Sequence, residues 1–139
     1  SRMDNIQAAF LNYKLKSLKK VIMKRRANAK IYKKMLNVDY IKLPYEKKNE
    51  FHTYHTFVIK IKKRDQLKKF LLKKGVETSI HYPIPIHLQP ASKKFGYKKG
   101  NFKIAEEQSK EILTLPINED LSKLDVVNIS NLINSFFEN

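Results

Sequence analysis

"FVIKIKKRDQLKKFLLKKG", residues 57–75, decides the fold. Phe57, Ile59 and Ile61 alternate with Val58, Lys60 and Lys62, the period-two pattern of a half-buried strand. From Arg64 the period changes. Leu67, Phe70 and Leu71 recur at helical spacing, and Gly75 offers a C-terminal stop, so Arg64 to Lys74 is predicted as a helix. A strand that passes directly into an amphipathic helix is an α/β signature.

Outward from this unit the chain supplies more of both kinds. Residues 3–37 contain no Gly or Pro, and Leu11, Leu15, Leu18, Ile22, Ala29, Tyr32 and Leu36 form one stripe that Arg25 interrupts. Ser1 with Asp4 reads as the N-terminal cap. Such a helix is about 50 Å long, whereas a compact globule of this size is only about 37 Å across. The helix is therefore bent or split, or its front rests on something outside the chain. "YIKLP" (40–44) reads as a short strand, and "FHTYH" (51–55) as the start of the strand that continues through Phe57. "VETSIHY" (76–82) alternates again, with Val76, Thr78 and Ile80 on one face. "HYPIPIH" (81–87) carries two prolines, which fix φ and remove donors, so a stiff extended segment is expected to leave the sheet there. Residues 103–113 read as a helix capped by Asn101 with Ile104, Gln108 and Ile112 in register. "TLPI" (114–117) reads as extended, and 121–137 as a last helix with Val126, Ile129, Ile133 and Phe136 inward. The order α-β-β-α-β-loop-α-β-α describes an α/β sandwich, one small sheet covered by helices, in a single domain over residues 1–139.

Composition narrows the function. With 29 basic and 13 acidic residues the net charge is +16, which raises a stand-alone module for nucleic acid or another polyanion as an alternative reading. Against it, only Arg2, Arg25, Arg26 and Arg64 are arginines, and the lysines are spread along the whole chain. Nucleic acid is therefore not the expected partner. No apolar run is long enough for a membrane-spanning helix, and no signal-peptide pattern opens the chain. The absence of cysteine excludes disulfides and thiolate metal sites and fits the cytoplasm. The first residue is Ser1 rather than Met, so the chain is either processed or a piece of something longer.

The residues assemble no complete catalytic set. His52 and His55, three apart in the predicted strand, point to opposite faces. His81 and His87 are about 19 Å apart along an extended chain, so neither pair chelates alone and no metal site is expected. There is no nucleophile elbow, no cysteine and no phosphate-cradling loop among the three glycines. His81 and Tyr82 stand where a strand ends and a rigid loop begins, the usual place for ligand contacts.

Four stretches then fall in order: "SRMDNIQAAFL" (1–11), "HTYHTFVIKIKKRDQL" (52–67), "HYPIPIHLQPA" (81–91) and "AEEQSKEILTLPI" (105–117). Together they resemble the C-terminal part of the DegT/DnrJ/EryC1/StrS aminotransferases, pyridoxal-phosphate-dependent enzymes that aminate keto-sugar nucleotides. The resemblance covers residues 1–137. It implies the small C-terminal domain of the aspartate-aminotransferase-like fold (fold type I of pyridoxal phosphate enzymes), with residues 1–37 as the connecting helix from a large domain. That large domain would supply the Schiff-base lysine, the partner of the pyridine nitrogen and most phosphate contacts, leaving this chain a fragment that is inert alone. The full enzyme would be a homodimer acting on a nucleotide sugar, with glutamate as the expected amino donor, in the synthesis of cell-surface polysaccharide or glycan. Related dehydratases share these stretches. Carried over by position, Arg2 lies near the sugar-nucleotide site, His81 and Tyr82 belong to a loop that closes over the substrate's sugar and diphosphate, and Gln7 packs at the domain and dimer junction. Many members have Pro where Lys103 stands, a departure expected to touch only the helix start.

Overall fold

The computed structural model of the chain describes residues 2–138. Four helices and two strands form along it: α1 (Asn5–Met35), β1 (Phe57–Lys60), α2 (Arg64–Lys73), α3 (Lys103–Glu111), β2 (Ile112–Leu115) and α4 (Lys123–Glu138). Two 3₁₀ turns, Ile86–Leu88 and Pro90–Phe95, lie between α2 and α3.

β1 and β2 pair antiparallel, with Phe57 opposite Leu115 and Lys60 opposite Ile112. The alternation expected of β1 is present: Phe57, Ile59 and Ile61 are buried, and Val58 and Lys60 are half-buried. Leu113, Leu115 and Ile117 join them in the core, covered by Leu67 and Leu71 of α2 and by Val126, Ile129 and Ile133 of α4. α1 contributes Ala29, Tyr32 and Leu36. The Tyr32 ring lies 5.0 Å from that of Phe57, and its hydroxyl donates to the Pro116 carbonyl at 2.9 Å. Burial pushes the Tyr32 hydroxyl pKa up, so it stays a donor.

The outer strands are shorter than the alternation suggested. The expected strand at 40–44 makes one bridge, Lys42 with Lys60, on the free side of β1. Pro44 follows two residues later without a donor, which stops the ladder. The expected strand at 76–82 likewise reduces to one bridge, Ser79 with Thr114, on the free side of β2, and Pro83 and Pro85 follow it. Residues 51–55 are not strand at all. Tyr54 has φ 49°, and the segment is folded around the Arg26–Glu46 ion pair. Arg26 Nη1 donates to Glu46 Oε1 and to the His52 carbonyl, both at 2.6 Å. Glu46 also accepts from the His52 N–H at 2.7 Å and the Tyr54 hydroxyl at 3.2 Å. The Arg26 guanidinium and these donors hold the Glu46 carboxyl down to about 2. His52 stacks on Tyr54, and its Nδ1 accepts the Tyr54 N–H at 2.9 Å, so its hydrogen bonds are those of a loop histidine.

α3 turns a different face inward from the one expected. Ile104 is 72 % exposed, whereas Glu106 and Ser109 are buried. Arg64, itself buried at the start of α2, donates through Nη1 to the carbonyls of Ser109 at 3.3 Å and Ile112 at 3.2 Å. That tether fixes the rotation of α3 by its backbone rather than by its apolar side chains. Asn101 does not cap α3. Its Oδ1 accepts the Lys98 N–H and closes the preceding turn instead.

α1 is unbroken and about 47 Å long. Only its rear part meets the core. Arg25 pairs with Glu119 at 2.8 Å, and the buried Asn28 donates to the carbonyls of Asn118 and Leu121 at 3.4 Å each. In front, Phe10 is 57 % and Leu11 48 % exposed, and Leu15 and Leu18 are exposed too. Asp4 is the N-cap, with its N–H donating to Gln7 Oε1 at 3.2 Å. Ser1, expected to share that cap, lies outside the described residues.

Two expectations follow. Phe57→Ala, at a fully buried ring of the core, should lower the unfolding free energy by about 3–5 kcal/mol, while Leu11→Ala on exposed helix should change it by about 0.5 kcal/mol or less. Urea unfolding of both variants checks this, and equal losses would show that the front of α1 is packed. The lowered Glu46 pKa stabilises the fold above the ordinary carboxyl value of 4.5, and that contribution is lost as pH falls toward about 2. Glu46→Gln should therefore be less stable than the parent at pH 7, and the gap should close between those values. A gap independent of pH would remove Glu46 from the account.

Candidate functional site

The exchange of backbone hydrogen bonds between Ser79 and Thr114, at 3.2 and 2.7 Å, sets Ser79 against the free edge of β2. Two residues on, the His81 ring comes back to the same threonine, with Nδ1 3.0 Å from Thr114 Oγ1. The next residue is not held in this way. Tyr82 is 69 % exposed, with its ring edge-on to His81 at 5.6 Å. An anchored imidazole beside a free phenol gives two hydrogen-bonding side chains at the rim of the sheet.

Beyond Tyr82 the segment is not extended throughout, as the prolines had suggested. At Pro85 it turns into 3₁₀ geometry, with the Leu88 N–H donating to the Pro85 carbonyl at 2.9 Å. The turn swings His87 inward. His87 becomes buried, 4.8 Å ring to ring from Phe102, with Nε2 3.0 Å from Glu106 Oε1. Burial of Glu106 pushes its pKa up, but the Gly100 N–H, His87 and the Phe102 N–H outweigh it and hold the carboxyl below its ordinary value. This pair escaped the sequence reading, which weighed His87 only as a metal ligand. Nineteen residues separate the partners, and no spacing rule links a loop histidine to a helix carboxylate at that distance.

Between the loop and α3 lies an open groove of about 640 Å³. Tyr82, Ile84 and Ile86 line it from the outgoing part of the loop, Phe95, Tyr97 and Phe102 from the returning part, and Gln108 and Ser109 from α3. The lining contains no Lys, Arg, Asp or Glu. It suits the apolar or aromatic part of a ligand, and it offers no ammonium or guanidinium to neutralise a phosphate. It also supplies no amine to take the carbonyl of pyridoxal phosphate. These residues do not fit that cofactor by themselves.

Arg2, the third sequence-derived site residue, precedes the first turn of α1 and is exposed. Asn5 and the buried Asn28 are about 35 Å apart along the helix. Among the described residues Arg2 makes no ion pair or hydrogen bond, so the structure brings His81 and Tyr82 together and leaves Arg2 apart from them. Gln7 is likewise exposed, and the bond it makes is the one to Asp4.

The whole chain has counterparts. Over 126 residues it is 37 % identical to a "pleiotropic regulatory protein" of Geobacillus stearothermophilus, covering 88 % of this chain and 34 % of that protein. Over 136 residues it is 32 % identical to the dTDP-3-amino-3,6-dideoxy-alpha-D-galactopyranose transaminase of Aneurinibacillus thermoaerophilus, covering 98 % of this chain and 37 % of that one. Its backbone superposes on S. venezuelae DesV in complex with a ketimine intermediate with a TM-score of 0.94 at 29 % identity, over 99 % of this chain and 38 % of DesV. This confirms the fold implied by the sequence resemblance. The chain spans about a third of the length of the curated relatives it matches. The family model for DegT/DnrJ/EryC1/StrS aminotransferases matches residues 1–134. With a match over residues 1–134 in sequence and over 99 % of the chain in backbone, the chain belongs to the DegT/DnrJ/EryC1/StrS aminotransferase family.

Proposed function

We propose that this chain serves as the C-terminal domain of a pyridoxal-phosphate-dependent aminotransferase that moves an amino group, from glutamate, onto a keto-sugar nucleotide for cell-surface polysaccharide or glycan synthesis. The observation that carries the reading is the match of the whole chain, loop included, to about a third of sugar aminotransferases. The cofactor, when bound, supplies the electron sink that lets nitrogen change carbon partners. Its Schiff-base lysine belongs to a large domain outside these 139 residues, in keeping with a groove lined by no lysine. In this reading the enzyme is a cytoplasmic homodimer, and neither nucleic acid nor a membrane is its partner. No helix among the described residues is long and apolar enough to cross a membrane.

Within that enzyme the residues of this chain bind and orient. His81, held by Thr114, and the Tyr82 hydroxyl contact the sugar or diphosphate of one bound substrate, and Arg2, at the head of α1, serves the substrate in the other site of the homodimer. Ordering Tyr82 beside two prolines costs less than ordering it on a flexible loop. The positive surface favours approach of a diphosphate anion.

Incubation of the full-length enzyme with glutamate, cofactor and a panel of keto-sugar nucleotides should give an amino sugar and 2-oxoglutarate. Loss of a sugar hydroxyl without nitrogen transfer would mean a dehydratase instead. His81→Ala and Tyr82→Phe should each raise KM for the sugar nucleotide about ten- to a hundredfold, with the amino-donor half-reaction unchanged. Loss of the donor half-reaction would move the pair to the cofactor side, and an unchanged KM would make it a packing element.

The 139-residue chain titrated alone with pyridoxal phosphate should show modification spread over its surface lysines. One lysine saturating at one equivalent would place the cofactor site inside this chain.

A further inference from the structure

We propose that Glu106 is a positioning residue. A single carboxylate oxygen on α3 latches both ends of the loop that walls the groove, and so sets the surface on which Tyr82 meets the substrate. The inference rests on the reading of the His81–Tyr82 loop as substrate-facing.

From Pro83 to Asn101 the chain runs 19 residues with two 3₁₀ turns, and His87 is the one residue of that span that is buried. Most of its hydrogen bonds stitch the span to itself. Ser92 Oγ donates to the Ile86 carbonyl at 2.6 Å, Gln89 Nε2 to the Ile84 carbonyl at 3.4 Å, and the Lys98 N–H to Asn101 Oδ1 at 2.7 Å. Among the described residues, the hydrogen bonds that tie it to the rest of the fold converge on one atom. Glu106 Oε1 lies 3.0 Å from His87 Nε2, where the loop leaves the sheet, and accepts the Gly100 N–H at 2.7 Å, where it returns. The Phe102 N–H adds a third donor at 3.4 Å.

Three donors on one oxygen call for a charged acceptor, because charge-assisted bonds are about twice as strong as neutral ones. The first turn of α3 adds its own favourable dipole to that charge. The consequence for shape is direct. Tyr82, Ile84 and Ile86 line the groove just before His87, and Tyr97, which lines it just before Gly100, packs on Phe102 at 5.3 Å. Without the carboxylate the span from Pro83 to Asn101 keeps no hydrogen bond to α3 among the described residues, and only Phe102 stays bonded to the helix, through its carbonyl and the Glu106 N–H. Glu106 touches no groove surface itself, so it acts through the loop.

Amide hydrogen exchange on the 139-residue chain tests the latch without any enzyme assay. In Glu106→Ala, exchange at Gly100, Phe102 and residues 86–89 should quicken about ten- to a hundredfold, while the amides of β1 and β2 stay as in the parent. Glu106→Gln keeps an acceptor of the same shape without the charge and should recover only part of the protection. Unchanged loop rates in Glu106→Ala, or β1 and β2 quickening as much as the loop, would overturn the latch. In the full-length enzyme Glu106→Ala should raise KM for the sugar nucleotide about tenfold with kcat unchanged, and Glu106→Gln should raise it less. A quickened loop with unaltered KM would overturn the positioning role. A parent enzyme with no transamination would fail the underlying reading instead, and the exchange result would still decide the latch.

Discussion

Four residues of β1 lie against four of β2, and the other elements are arranged around that short ladder. Its partners are 52 to 58 residues apart, so it closes only after α2, the proline loop and α3 have been traversed. Its inner face supplies Phe57, Ile59, Leu113 and Leu115, all fully buried. Tyr32 is bound to it twice, by ring contact with Phe57 and by a hydrogen bond to Pro116 just past β2. Through Tyr32 the ladder holds the rear of α1, and through Thr114 it holds the first residues of the functional loop. Core and site share the same backbone.

That sharing explains how so small a sheet can support a binding loop. Thr114 lies on the opposite face of β2 from Leu113 and Leu115, and its hydroxyl meets His81 while its peptide groups bond Ser79. Arg64 reaches across to the end of α3, so the helix that floors the groove is set by the helix that follows β1. Polar contacts place the loop, α3 and residues 51–55, while apolar packing seats α2 and α4 on the ladder. A groove walled by aromatic and branched side chains is left at the junction.

The long-period features were legible in the sequence because burial writes them there. The alternation from Phe57 to Ile61, the stripe Leu67–Phe70–Leu71 and the face Val126–Ile129–Ile133 are each a direct record of which side meets the core. The excess length of α1 was legible by the same logic, since apolar positions continue beyond what one small core can cover. What escaped was set by single polar contacts between distant residues. The rotation of α3 follows Arg64 rather than Ile104, the fold of residues 51–55 follows Arg26 and Glu46, and His87 turns inward for Glu106. The strands at 40–44 and 76–82 had the right alternation, but prolines just beyond them limit pairing to one bridge each. In the site, position within the family motif marked His81 and Tyr82. Nothing in the motif showed that one is anchored and the other free.

The uneven cover along α1 also makes it a ruler of local stability. An uncovered helix of its front length is marginal in water, whereas the turn carrying Tyr32 opens only when the core does. Opening free energy therefore climbs along one continuous hydrogen-bonded rod, from almost nothing near Asn5 to the full unfolding value near Tyr32. Anything that seats on Phe10, Leu11 and Leu15 lengthens the protected part of the rod turn by turn. The helix thus converts occupancy of its front into stiffness, and transmits it toward the end that is already fixed to the sheet.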